Sequence, residues 1–424
     1  MLSISFIRKH PQLIQKACQD KGIDVDVSYV LDLDHQLSSL KKHQEELQAQ
    51  RNSLSKQMPQ LSSEQRKECV GHVKDIKKQI ESLNDQLLTQ SKIFTELMLS
   101  LPQVLREDVP LGKTEADNQV IKTVGERPTH RQTPLSHQEL GEKLGLMDFQ
   151  RAVKISGSRS YVLTGKGAYL EQAILRMVYD GLYSKGYKAM HVPVLVREEC
   201  MEGTGYFPSG KDQAYLCERD QLSLVGTSEV SLCSFYQDEI FDESMLPLKL
   251  FALSSCFRRE AGSYGKDTKG LYRVHQFQKI EQVVIARSDA VQSEQCHDEL
   301  MDNAEQVLRD LELPYQVVMV CSGDLGQGQY YKKDIETWMP SRDNYGETHS
   351  CSAFHDFQAR RLKMRYRCSS TGKKHYCYTL NNTALASPRI LIPFLEVHQT
   401  SQGDVRIPQA LQPYCLGKAL VSEL

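Results

Sequence analysis

The sequence predicts an α+β protein: a long N-terminal helical hairpin, then a body built on an antiparallel sheet flanked by helices. Three observations carry this. Leu33, Leu40, Leu47 and Leu54 recur every seven residues, the period of a coiled-coil seam. From Ser28 to Ser100 the only glycine or proline residues are Pro59 and Gly71. Beyond His137, strand-like segments follow one another with few strand–helix–strand crossovers, as antiparallel sheets require.

The arm comes first. Leu37, Gln44, Arg51 and Met58 occupy the positions between the heptad leucines, so all eight share one helical stripe. A second run follows through Val73, Ile76, Ile80, Leu83, Leu87, Phe94 and Leu97, with a polar gap at Gln90. Pro59 stops the first helix, and Ser62 or Ser63 can cap the second. Two such helices joined by a short turn fold back as an antiparallel pair, each roughly 40–55 Å long at ~1.5 Å per residue. The stretch carries ten basic and ten acidic residues, the balance of a solvated arm. Its basic clusters, Lys74, Lys77 and Lys78, and Lys56, Arg66 and Lys67 near the turn, read first as solvated faces.

Residues 1–100 form the expected arm domain, 101–136 a linker and 137–424 the body. The linker is rich in Pro, Gly, Asp and Glu, with a strand-like stretch at Gln119 to Val124. In the body, 169–187 has helical spacing and 188–196 reads as a short strand carrying Pro193. Residues 248–257, 272–286 and 315–321 read as strands, 293–313 as an amphipathic helix, and 379–396 as a strand turning into a helix.

Composition narrows the function. The 424 residues carry 52 Lys+Arg against 54 Asp+Glu, a net charge of −2, which excludes a histone-like polycation. No stretch reaches the ~18 apolar residues of a membrane span, and the N-terminus lacks a signal-peptide core. Twelve cysteines without a C-x-x-C pair read as free thiols rather than disulfides or a zinc site. A cytoplasmic protein, with no zinc and no membrane, is expected. Neither G-x-x-x-x-G-K-[ST] nor G-x-G-x-x-G occurs, so the two common glycine-rich nucleotide cradles are absent.

The densest polar chemistry lies on the expected strands. Strand alternation places Arg258 and Glu260 on one face, with Arg259 on the other. On the returning strand His275, Phe277, Lys279 and Glu281 share a face. A lone Arg-x-Glu is common and reads as surface ion pairing. The ordered set is not common: Thr227-Ser228-Glu229, Arg258-x-Glu260, Phe277 with Glu281, Glu347-x-x-Ser350, then Arg389.

This set resembles the class II aminoacyl-tRNA synthetases, specifically the bacterial-type seryl-tRNA synthetases. FRREAGSYGKDTKGLYRVHQFQKIEQ is similar to the family's motif 2, NNTALASPRIL to motif 3, and the helix–strand unit ending at Pro193 to motif 1. ISGSRSYVLTGKGAYLEQA, MEGTGYFP, ETHSCSAFHDFQARR and the arm fit in collinear order, so the resemblance covers essentially the whole chain. It implies a class II antiparallel sheet, a homodimer joined near Pro193, and a serine–tRNA ligase using ATP and Mg²⁺. Position by position, Arg258 would contact the ATP α-phosphate, Glu260 the adenine edge, Phe277 the base and Arg389 the γ-phosphate. Arg259, Val274, Thr348 and His349 would complete the ATP set, and Glu347 and Ser350 the metal–phosphate site. Thr227, Ser228, Glu229 and Arg258 would hold serine, its hydroxyl pocketed by Glu281, Asn381 and Thr383.

The partners implied are L-serine, tRNA(Ser) and also tRNA(Sec). Lys74, Lys77 and Lys78 on the arm would contact the tRNA, and Tyr264, Lys266, Lys269 and Arg273 its acceptor end. The chemistry suits these residue types. Charge spreads over phosphoryl oxygens during adenylate formation, so fixed arginines and Mg²⁺ are the groups required. Two rival readings are a silent RNA-binding paralogue and an enzyme that loads an amino acid onto a carrier protein. The first predicts loss of Arg258, Glu281 or Arg389, all present; the second predicts no arm. Pro393, four residues past Arg389, is expected to kink the motif 3 helix if it lies deep within it.

Overall fold

A computed structural model describes residues 1–128, 134–262 and 269–424. Tyr264 and Lys266 lie outside the described residues. The chain divides into two compact units, Met1–Pro102 and Gln103–Leu424.

In the first unit two short helices precede the hairpin of α1 (Val27–Gln57) and α2 (Ser63–Ser100). The seam follows the heptads. Leu47, Ile80 and Leu83 form its core, with Leu40 and Ile76 against them. Polar Gln44 stays in the stripe because it donates to Asn84 on the facing helix. At the turn, Ser62 and Gln65 form a capping box, which satisfies two otherwise orphaned backbone donors. Arg66 donates to the carbonyls of Met58 and Pro59 at 3.1 and 2.9 Å, so it fastens the turn. Lys74, Lys77 and Lys78 are exposed on α2.

Among the described residues, the second unit is built on an eight-stranded sheet. In chain order its strands are β1 (Gln119–Val124), β2 (Lys188–Ala189), β3 (Leu248–Phe257), β4 (Gln276–Ala286), β5 (Tyr315–Met319), β6 (Tyr331–Met339), β7 (Asn344–His355) and β8 (Tyr378–Ser387). The spatial order is β1-β5-β6-β7-β8-β4-β3-β2. Neighbours are antiparallel except β2 with β3.

Helix α3 (Lys166–Ser184) and helix α5 (Ala290–Asp310) contribute to one core with the sheet. Helix α5 buries Cys296, Leu300, Ala304, Val307 and Leu308, an i, i+4, i+8 stripe. Its Asn303 donates to Gln282 at 2.7 Å, and Asn382 donates back to the Leu300 carbonyl at 2.6 Å. A separate core, including Leu232, Val283, Ile285, Ala359 and Leu362, covers the opposite face. It includes residues of α4 (Glu229–Ser234).

Several sequence expectations need correction. The 101–136 segment is no simple linker, because β1 within it pairs with β5 at the sheet edge. Its side chains are largely exposed, so main-chain hydrogen bonds hold it; the strand lies where the sequence placed it, Gln119–Val124, and its pairing into the sheet is what the linker reading lacked. Residues 188–196 form no continuous strand. Lys188–Ala189 joins the main sheet and Leu195–Arg197 a small second sheet, with Pro193, which has no N–H for a ladder, between them. Strand β4 begins at Gln276 rather than Tyr272. Helix α6 (Leu391–Val397) places Pro393 third, within the first turn, whose N–H groups need no helical partner. The motif 3 helix therefore starts cleanly just after Arg389.

Candidate active site

Alternate residues of β4 face opposite sides of the sheet. Ile280 and Val284 join the α5 core, whereas Val283 and Ile285 join the opposite one. Lys279 and Glu281 therefore share the face away from α5. The register sets Thr383 directly opposite Glu281 and Asn381 opposite Val283, which brings all four polar residues to that face, buried. Lys279 and Glu281 form an ion pair, as two charges this far from water require.

Lys279 and Thr383 line a small recess of about 60 Å³ with Arg258, Val274, Phe277, Glu347, Thr348 and Arg389. Arg258, Glu260, Tyr272, Glu347 and Arg389 also line a wider recess of about 910 Å³. The Arg258 guanidinium lies 5.2 Å from the Phe277 ring centre and donates to the Gly226 carbonyl at 3.5 Å. Arg389 donates to the carbonyls of Tyr272 (3.1 Å) and Glu347 (2.9 Å), and stands 3.6 Å from the Glu347 carboxylate. The Glu347 side chain is 47% exposed at the mouth of the recess, and the partial loss of water around it pushes its carboxyl up. The charges of Arg389, Lys332, Arg258 and Arg273 outweigh this and hold it below the usual carboxylate range. A fixed anion and two fixed guanidinium groups thus meet at one wall.

Arg258 and Glu260 reach this wall by a different route from the expected alternation. Strand β3 ends at Phe257, and Glu260 has φ 52°, so a turn rather than a pleat brings the pair together. Glu260 pairs with Arg273 at 3.3 Å. Arg259 is exposed, donates to the Asp212 carbonyl at 3.3 Å, and lines neither recess.

Thr227, Ser228 and Glu229 enter α4 fully buried. The Glu229 carboxylate accepts from the Tyr206 hydroxyl (2.8 Å) and from Gln358 Nε2 (2.7 Å). Burial, then the charge of Glu281, pushes its carboxyl above the ordinary value. Ser228 donates instead to the Ala252 carbonyl, 3.5 Å away in the core. Thr348 and Thr337 share a 2.6 Å hydroxyl contact, and His349 Nδ1 lies 2.9 Å from the Thr348 hydroxyl. Ser350 lies opposite Asp334 in the β6–β7 register. Lys269 is exposed beside the undescribed residues 263–268.

Sequence reasoning assigned no role to Tyr206, Gln358 or Lys279. Tyr206 and Gln358 sit in MEGTGYFP and ETHSCSAFHDFQARR, segments already singled out. A buried acid such as Glu229 needs hydrogen-bond donors, and that requirement was the available signal.

Comparison with known proteins agrees over both units. A family model described as the seryl-tRNA synthetase N-terminal domain matches residues 1–105, and one described as the tRNA synthetase class II core domain (G, H, P, S and T) matches residues 215–398. The chain is 42% identical to a serine–tRNA ligase of Deinococcus radiodurans, covering 100% of this chain and 99% of that protein. It is 40% identical to one of Dictyoglomus turgidum, covering 98% of each. Among solved structures it is similar to the seryl-tRNA synthetase of Pyrococcus horikoshii complexed with ATP, with a TM-score of 0.91, 35% identity and 99% of both chains covered. The cytoplasmic serine–tRNA ligase of Naegleria fowleri in complex with AMP gives a TM-score of 0.87 at 27% identity, covering 99% of this chain and 98% of that one.

The buried histidines make stability depend on pH. Burial depresses His349, His355 and His398 from 6.5 to about 4 and His297 to about 3. Between pH 6.5 and 4 the unfolded chain binds protons that the folded chain refuses, so stability falls as pH falls through this window. Each fully titrating histidine contributes up to about 1.4 kcal/mol per pH unit. Urea midpoints should drop from pH 7 to pH 5, and His398→Gln should shallow the drop. A midpoint constant over that range would contradict this assignment.

Proposed function

The chain belongs to the seryl-tRNA synthetase family, and on that premise we propose how its residues divide the work of a serine–tRNA ligase. The enzyme activates L-serine with ATP and joins it to the 3′ end of tRNA. One observation carries the division of roles: Arg258 and Arg389, delivered from separate elements, converge on the recess that Lys279 and Thr383 line.

In the first step a serine carboxylate oxygen bonds to the α-phosphorus of ATP. The bond from that phosphorus to the bridging oxygen breaks, and its electron pair leaves with pyrophosphate. Arg258 holds the α-phosphate, and its planar fork suits two phosphate oxygens. Phe277 lies beneath the base, with Glu260, Val274 and the backbone after Glu260 at its edge. Arg389 holds the γ-phosphate. Both guanidinium groups are already anchored on backbone carbonyls, so little reorganisation accompanies the charge movement.

Glu229, next to Thr227, holds the serine ammonium group. Burial and the Glu281 charge raise its affinity for protons, and a neighbouring ammonium group would favour its charged form. Glu281 and Thr383, with Asn381, take the serine hydroxyl. A pocket whose polar groups need that hydroxyl rejects alanine and glycine, which would leave them unpaired. Thr348, His349 and Ser228 support the walls, and Arg259 acts from the rim of the nucleotide site.

The residues fit Mg²⁺. Glu347 is held ionised and Ser350 is a second hard-oxygen donor, while among the described residues no group of three or more His, Cys, Asp or Glu could hold a metal ion. Such a pair suits an ion that takes most of its ligands from phosphate and water. When bound it neutralises phosphate charge.

The arm reads the tRNA, with Lys74, Lys77 and Lys78 on phosphates and riboses; Lys269 and Arg273 meet the acceptor end. The enzyme works in the cytoplasm as a homodimer joined near Pro193, and serves tRNA(Sec) as well as tRNA(Ser). Exposed Leu195, two residues from Pro193, supports an interface there. No helix among the described residues is long and apolar enough to cross a membrane.

Two measurements test this division. Arg258→Ala should lower serine-dependent ATP–pyrophosphate exchange by ~10²–10³-fold, since one lost transition-state donor costs about 3–4 kcal/mol; wild-type exchange would refute the role. Replacing residues 30–98 by a short flexible link should leave exchange intact and abolish tRNA charging. Unchanged charging would defeat the tRNA-reading role of the arm.

A further inference from the structure

Arg342 closes a 3₁₀ turn, Pro340–Arg342, between β6 and β7. A lone exposed arginine on such a turn is ordinarily a solvated charge. Three observations set this one apart. Its guanidinium lies 4.2 Å from the centre of the Tyr272 ring, and the Arg389 guanidinium lies 4.4 Å from the same centre. Arg342, Tyr272, Glu347 and Arg389 line the same wide recess. The turn is also held in place. Buried Glu396 accepts from Ser341 N (2.9 Å) and from the Ser341 hydroxyl (2.8 Å).

Glu396 sits on α6, the helix that begins just after Arg389. One short helix therefore fixes both arginines: Arg389 at its start, and the turn bearing Arg342 through Glu396. Gly346 keeps the shared ring in place. A Cβ at Gly346 would come within 3.0 Å of the Tyr272 ring and 2.9 Å of the Met339 methyl, so a side chain there would press on the platform. Aromatic faces attract guanidinium groups, and one ring can steady two cations that would otherwise repel each other. Like charges are placed side by side where a multivalent anion is to be bound.

We infer that Arg342 is a pyrophosphate-binding residue, the second arginine after Arg389 for the β- and γ-phosphates of ATP. It meets the electron pair that moves onto pyrophosphate when the α-phosphorus bond breaks. This rests on the ligase reading above. It makes a specific demand: Arg342 distinguishes nucleotides that carry the two outer phosphates from those that do not.

The test measures ATP and AMP affinity by calorimetry, and the Michaelis constant for pyrophosphate in serine-dependent exchange, in wild type, Arg342→Ala and Arg342→Lys. Arg342→Ala should weaken both ATP and pyrophosphate by about ten-fold or more, the size of one charge-assisted hydrogen bond, and leave AMP unchanged. Arg342→Lys should recover part of the loss, because it keeps the charge without the planar fork. Equal weakening of ATP and AMP would overturn the inference, since that signals general distortion. So would unchanged ATP or pyrophosphate constants. Absence of serine-dependent exchange in the wild type would instead sink the ligase reading, while the ATP–AMP contrast still decides the role of Arg342.

Discussion

The site depends on the register between β4 and β8. Thr383 lies opposite Glu281 and Asn381 opposite Val283, so one face of two adjacent strands carries the acid, the hydroxyl and the amide together. A slip of one residue would turn all of them toward α5. The opposite face guards against this. Gln282 and Asn382 bond to α5 through Asn303 and the Leu300 carbonyl, and these polar groups would be left unpaired if they moved. Polar bonds on the structural face thus hold the polar residues on the functional face. The buried Lys279–Glu281 pair belongs to the same arrangement, since either charge alone would be costly at that depth.

Around this pocket, charge is placed by backbone rather than by side chains alone. Arg258 follows the end of β3 and Arg389 precedes α6. Both donate to main-chain carbonyls, which fixes the direction of each fork, and Arg389 also faces the Glu347 carboxylate at 3.6 Å. Glu347, on β7, is kept ionised by the positive charges around it. The result is a wall of two guanidinium groups and a carboxylate beside a recess lined by Lys279, of the buried ion pair, and by Thr383. That is the separation a reaction needs when it binds a triphosphate and a small amino acid at once.

Much of this was legible in the sequence, for identifiable reasons. The arm was readable because its two-helix core depends on nothing but heptad spacing, and even polar Gln44 found its partner within the seam. Strand β3 and the latter part of β4 showed as apolar runs because they are buried on both faces; β8 is as buried but carries Thr379, Asn381, Asn382 and Thr383. Strands β6 and β7 escaped notice. One face carries Lys332, Asp334 and Ser350, so polar residues break the apolar pattern that marks a strand. Turn geometry was equally hidden: nothing in Phe257-Arg258-Arg259-Glu260 reveals that the strand stops before Arg258 and that Glu260 takes a left-handed conformation. Nor does Arg342 stand out in sequence, since its meaning comes from Tyr272, seventy residues earlier in the chain.

The central claim is that the β4–β8 register builds a pocket for a hydroxyl, separate from the nucleotide wall. Thr383→Val tests it most directly, because it keeps the shape of the side chain and removes only its polar group. The measurement is the specificity constant for serine and the Michaelis constant for ATP in pyrophosphate exchange. Serine use should fall by roughly 10–100-fold, the consequence of leaving one buried polar partner unmatched, with the ATP constant unchanged. A rise in the ATP constant with serine use intact would contradict the account.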